Sequence, residues 1–136
     1  MTSVRGASVL VWRRGWRGPE WLVLHRAAAG PAYDGDWAWT PPAGARRAGE
    51  DVAECARREL LEETGLELEP VPTGCGSDEW AVFVAEAPPE AEVRLDREHD
   101  AYEWVSEDEA GARCLPAHVG AAFNAVSALV GGGRAG

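Results

Sequence analysis

The segment GARRAGEDVAECARRELLEETGL, Gly44 to Leu66, decides how the rest of the chain is read. From Glu50 to Thr64 its pattern is helical: Ala53, Ala56, Leu60 and Thr64 fall at i, i+3, i+7 and i+11 and form one apolar stripe. Gly65 follows where a left-handed C-terminal cap is expected. Leu61 lies off the stripe, and only partial burial accounts for it. Glu59, Glu62 and Glu63 stand at i, i+3 and i+4, so their carboxylates leave one side of the helix. They occupy its last turns, where the helix dipole favours cations. Like charges at i+4 also cost roughly 0.2–0.5 kcal/mol per pair. Both effects have the wrong sign for a stable helix. A solvated acidic face is the plain reading, but two features argue against it. Arg58 stands four residues after Glu54 and four before Glu62, so it can orient acids without neutralising all of them. The small apolar stripe holds the acidic side in a fixed direction. Oxygen ligands clustered on a rigid element suit a hard cation, Mg²⁺ or Mn²⁺ in its place.

Working outward, Ala7–Trp12 (ASVLVW) and Trp21–His25 (WLVLH) are short β-type runs, with Arg13–Glu20 between them reading as a hairpin loop. Ala27–Gly44 is a long irregular stretch carrying Trp37 and Trp39, and long loops inside compact domains are more often functional than idle. After the acidic helix, Leu66–Val71 is a weak strand candidate and Glu79–Ala87 a stronger one. Pro88 and Pro89 mark an exposed loop, and Tyr102–Val105 reads as a last strand. Ser106 with Glu109 forms a capping-box pattern that opens a short helix. Pro116–Val130 reads as a final helix and residues 131–136 as a frayed tail. The simplest arrangement is an α/β fold with one mixed sheet flanked by helices.

The 136 residues suit a single domain, 1–136, and 46 % hydrophobic with 26 % charged residues is globular composition. No apolar run approaches the roughly 18 residues of a spanning helix. The start, Met1 to Arg5, lacks a signal-peptide pattern, so a cytoplasmic protein without membrane contact is expected. Cys55, Cys75 and Cys114 share no metal-ligand spacing and are expected to be reduced thiols. A net charge of −10 argues against a nucleic-acid partner. It also sits badly with a phosphate substrate, unless the acids gather around divalent cations that invert the local charge.

The segment resembles the box of the Nudix hydrolases: glycine, five residues, glutamate, seven residues, then Arg-Glu-aliphatic-any-Glu-Glu-any-Gly-aliphatic. Here Gly44, Glu50 and Arg58-Glu59-Leu60-Leu61-Glu62-Glu63-Thr64-Gly65-Leu66 fill every specified position over 23 residues. The resemblance implies a Nudix α/β/α sandwich and hydrolysis of a nucleoside diphosphate linked to another moiety. It also implies that Glu59, Glu62 and Glu63 hold the metal, one of them acting as base toward water. Glu50 and Arg58 would tie loop to helix, Gly44 would allow a sharp turn into the helix, and Gly65 would cap it.

Trp39-Thr40-Pro41-Pro42-Ala43-Gly44 further resembles the Trp-Thr-Pro-Pro-Lys-Gly approach of diadenosine tetraphosphate hydrolases. Glu98-His99-Asp100-Ala101-Tyr102-Glu103-Trp104-Val105 resembles a Glu-His…Tyr…Trp stretch those enzymes share with some bacterial nucleoside triphosphate pyrophosphohydrolases. That match makes Glu98 the candidate extra carboxylate and metal ligand, with Asp96 and Asp100 as competitors. The family lysine is Ala43 here, and the chain has no lysine, so phosphate contacts fall to arginine. Arg26 is the first choice, ahead of Arg46 and Arg47. Trp37, Trp39 and Tyr102 are candidates for stacking on a base. His99 either contacts phosphate, transfers a proton or makes a structural hydrogen bond. The expected substrate is a small nucleotide, either a dinucleoside polyphosphate or a nucleoside triphosphate, and the expected assembly is a monomer or homodimer. Oxidised nucleotides, ADP-ribose and nucleotide sugars are alternatives within the class. A nucleotide-sensing module is the non-enzymatic one.

Overall fold

The computed structural model describes residues 4–132. The elements are β1 (Gly6–Gly15), β2 (Gly18–Arg26), β3 (Trp39–Thr40), β4 (Ala43–Ala45), α1 (Val52–Thr64), β5 (Val71–Pro72), β6 (Trp80–Glu86), β7 (His99–Val105), α2 (Glu107–Arg113) and α3 (Ala117–Gly132). β1 pairs antiparallel with β2 and parallel with β6, so the sheet is mixed.

Strand alternation sorts the core into two layers. Ala7, Val9 and Val11 of β1, Leu22 and Leu24 of β2, and Phe83 and Ala85 of β6 pack against Cys55, Ala56 and Leu60 of α1. Leu10, Trp12, Trp21 and Val23 point the other way, toward Ala110 of α2, Cys114, and Phe123 and Val126 of α3. The Trp21 ring meets Phe123 edge-on at 5.9 Å. Burial on both faces explains why ASVLVW and WLVLH read as unbroken apolar runs. The result is the α/β/α sandwich.

One topological detail positions the site. β1 is paired with β2 at Trp12–Gly15 but with β4 at Gly6–Ser8. β2 likewise pairs with β1 at its start and with β3 at Leu24–His25. β1 and β2 therefore diverge, and the segment Trp39–Ala45 fills the fork, sealed by a Val9 N–H to Pro42 carbonyl bond of 2.9 Å.

Several boundaries differ from the sequence reading. The hairpin loop shrinks to Trp16 and Arg17, because Arg13–Gly15 pair with Gly18–Glu20. The irregular stretch contains β3 and β4, whose partners are remote in sequence. Leu66–Pro70 is not a strand; Leu66 and Leu68 pack against the α1-side cluster from an irregular segment. β7 begins three residues early, at His99, and the last helix runs from Ala117 to Gly132. Residues 1–3 and the rest of the expected tail, 133–136, lie outside the described residues.

Candidate functional site

Glu50 and Asp51 precede the acidic helix rather than opening it, and α1 starts at Val52. The Asp51 N–H donates to Glu54 Oε1 at 3.0 Å, covering one of the helix's orphan donors. At the other end Gly65 adopts φ 74°, and its N–H donates to the Leu61 carbonyl at 2.8 Å. The loop from β4 turns at Gly49, with φ 76°, which brings Glu50 back toward the helix.

Arg58 locks that loop. Its Nε and Nη2 donate to the two Glu50 oxygens at 2.7 and 2.9 Å, and Nη2 also reaches the Ala45 carbonyl at 3.1 Å. Nη1 lies 3.4 Å from Glu59 Oε2 and 3.2 Å from Glu62 Oε1. The paired guanidinium holds the Glu50 carboxyl down at about 2. Glu62 is exposed and also meets Arg47 at 3.3 Å.

Gly44 serves a purpose other than a turn into the helix. It lies within β4, opposite Ala7, and its φ is not left-handed. A Cβ there would stand 1.8 Å from Glu59 Oε2, so the glycine is required by the approach of that carboxylate. The next residue back, Ala43, donates its N–H to Glu63 Oε1 at 3.1 Å. Sequence reading had no signal for this main-chain donor.

Glu63 is 5 % exposed, and burial pushes its carboxyl up to about 8, with the Glu59 and Asp96 charges adding to the shift. Glu59 is raised as well, chiefly by burial. Two acceptors facing each other need a proton or a cation between them. Among the described residues no group of three or more His, Cys, Asp or Glu side chains is arranged to hold a metal ion. Hard carboxylates such as these are the donors of an open site, in which waters and substrate oxygens complete the coordination.

The other expected site residues divide by position. Asp96 is close enough to act on Glu63, whereas the Glu98 side chain is exposed and makes no ion pair among the described residues. Glu98 instead contributes its carbonyl to the Ala27 N–H, at 2.9 Å. His99 is buried, with Nδ1 2.8 Å from Asp96 Oδ1. Arg26 is exposed and is the register partner of His99. Tyr102, 40 % exposed, pairs with Leu24 and so shares the α1 face. Trp39 does not join it. Its ring lies on the opposite face, 4.8 Å from His25 and 4.9 Å under the Arg113 guanidinium. Alternation along β3, unreadable in a two-residue strand, sends it there. The three cysteines are free, and burial raises the thiols of Cys55 and, to about 12, Cys114.

A profile of the NUDIX domain matches residues 2–125. The chain belongs to the Nudix family. Among curated sequences, the asymmetrical bis(5'-nucleosyl)-tetraphosphatase of Rattus norvegicus is 37 % identical over 92 residues, 58 % of this chain and 63 % of that one. An octanoyltransferase of Myxococcus xanthus is 38 % identical over 103 residues, 65 % of this chain but 28 % of its own length. The matches thus span less than two thirds of these relatives. In fold, the chain superposes on a C. elegans Ap4A hydrolase binary complex with a TM-score of 0.77, at 23 % identity, over 94 % of this Nudix chain and 99 % of the other.

No described helix of this Nudix protein is long and apolar enough to cross a membrane.

Proposed function

We propose that this Nudix protein hydrolyses a pyrophosphate bond in a nucleoside polyphosphate, with a dinucleoside tetraphosphate as the leading substrate. The observation that carries this reading is the adjoining Glu59–Glu63 carboxylate pair, the first half-buried and the second buried with a single N–H donor, on a helix oriented by Arg58. The substrate class follows from the Trp39–Gly44 approach and from the named activity of the rat relative.

Glu59, Glu62 and Glu63 would hold Mg²⁺ or Mn²⁺, with Asp96 or Glu98 adding a carboxylate from the loop before β7. A bound divalent cation supplies polarised phosphate oxygens and a water of lowered pKa. Glu63, once ionised, would be the base that accepts a proton from that water. Arg58 keeps Glu59 and Glu62 from turning away, and Glu50 keeps Arg58 in place. Arg26 and His99, paired across β2 and β7, would meet the phosphates, and Tyr102 would stack on a base from the α1 face. Trp39 is dropped from that platform because its ring faces α2.

The test is turnover of the purified protein with Mg²⁺ on diadenosine tetraphosphate, nucleoside triphosphates, 8-oxo-dGTP and ADP-ribose, with products identified by mass. Preferred release of ATP and AMP from diadenosine tetraphosphate is expected. Binding without turnover of any of them would replace this reading with a nucleotide sensor.

A further inference from the structure

His25 is 2 % exposed, on the face of β2 away from α1. Its Nδ1 lies 2.6 Å from Asp100 Oδ1, and its Nε2 lies 2.6 Å from the Tyr33 carbonyl. A carbonyl can only accept a hydrogen bond, and an ionised carboxylate likewise, so both ring nitrogens must carry hydrogen. The ring is then an imidazolium, with the Trp39 indole packed against it at 4.8 Å.

The two partners come from segments that flank the candidate phosphate contacts. β2 and β7 pair as His25 with Ala101 but Arg26 with His99, so Asp100 is an extra residue bulged out of β7. The bulge lets Asp100 reach His25, and it brings His99 opposite Arg26. His99 in turn holds Asp96, whose charge acts on Glu63. On the other side, the Tyr33 carbonyl belongs to the loop that leaves the sheet at Arg26 and returns at Ala38.

We infer that His25 is a positioning residue whose doubly donating ring pins the β7 bulge and the β2–β3 loop, and so sets Arg26 and His99 where the phosphates bind. This inference rests on the proposed pyrophosphohydrolase reading for its substrate.

The electrostatic surroundings agree with that assignment. Burial lowers the pKa of the ring, but the Tyr33 carbonyl and Asp100 outweigh it, with help from Asp34, and the ring ends above its ordinary 6.5. Arg113 of α2 faces the same indole, but Glu103 at 3.0 Å and Glu109 at 2.6 Å balance its charge.

The test combines a spectroscopic and a kinetic arm on the full chain with Mg²⁺. In nitrogen-15 NMR of the wild type, both His25 nitrogens should carry hydrogen at pH 7. A ring with hydrogen on only one nitrogen at that pH would overturn the clamp. With diadenosine tetraphosphate, His25→Gln and Asp100→Asn should each raise KM by about tenfold or more while kcat changes far less. The double variant should be no worse than either, because both remove one clamp. A fall in Tm with KM unchanged would also overturn it. If the wild type turns over none of its candidate substrates, the proposed function fails. The clamp is then read from the NMR arm and from calorimetric affinity for pyrophosphate with Mg²⁺, which the same two variants should weaken by the same factor.

Discussion

Glu63 receives one N–H, from Ala43, and faces a second carboxylate, Glu59, so its ionised form gains little to offset burial. With its carboxyl raised from 4.5 to about 8, the protonated form stabilises the metal-free fold fully below pH 4.5. That contribution is lost as pH rises through about 8. The metal-free Tm should therefore fall across this range. Added Mg²⁺ binds the ionised form, so the Tm it restores should grow from pH 6 to pH 8, with a proton released on binding. Scanning calorimetry with and without Mg²⁺ checks both, and Glu63→Gln should flatten the metal-free profile. The same variant should lose about 10²- to 10⁴-fold in kcat if Glu63 acts as the base, measured on whichever substrate the wild type prefers.

The element that carries the site is α1 together with the loop from β4, tied by the paired Arg58–Glu50 contact. Glu50→Gln keeps the shape but gives up the charged pair, so Mg²⁺ affinity should drop about 10- to 100-fold with the helix intact. Titration calorimetry reads the affinity, and circular dichroism the helix. Gly44→Ala should displace Glu59, since the added methyl would lie 1.8 Å from its Oε2, and should weaken metal binding without unfolding the sheet. The acids of α1 were legible because helical spacing alone puts Glu59, Glu62 and Glu63 on one side, and Gly65 marks where the helix stops. What Gly44 is for was not legible, because the reason is a contact with a residue fifteen places on. The same holds for His25 and Asp100, 75 residues apart and joined only by a strand pairing. The Trp39 ring followed no readable pattern either, because two strand residues do not reveal which face is which.

At the scale of the whole molecule, the sheet separates two apolar clusters, and only the α1 side bears the candidate catalytic groups. Phe123→Ala, which empties a fully buried site under α3, should destabilise the protein by about 3–5 kcal/mol in denaturant titration. KM and kcat should stay near wild type under conditions where the variant is folded. The sheet itself was foreseeable from the apolar runs, but the fork filled by β3 and β4 was not, since β4 pairs with a strand more than thirty residues back and β3 is too short to read as a strand. That fork has one further consequence. The loop between Arg26 and Ala38 begins and ends on the same hydrogen bond, Arg26 N–H to the Ala38 carbonyl at 2.9 Å. What the clamp takes from the loop is chiefly a peptide carbonyl, which any amino acid supplies, with the Asp34 charge as its one side-chain contribution. The segment is thus close to a cassette: outside Asp34 and Trp37, its side chains can be exchanged while the framework beneath stays as it is.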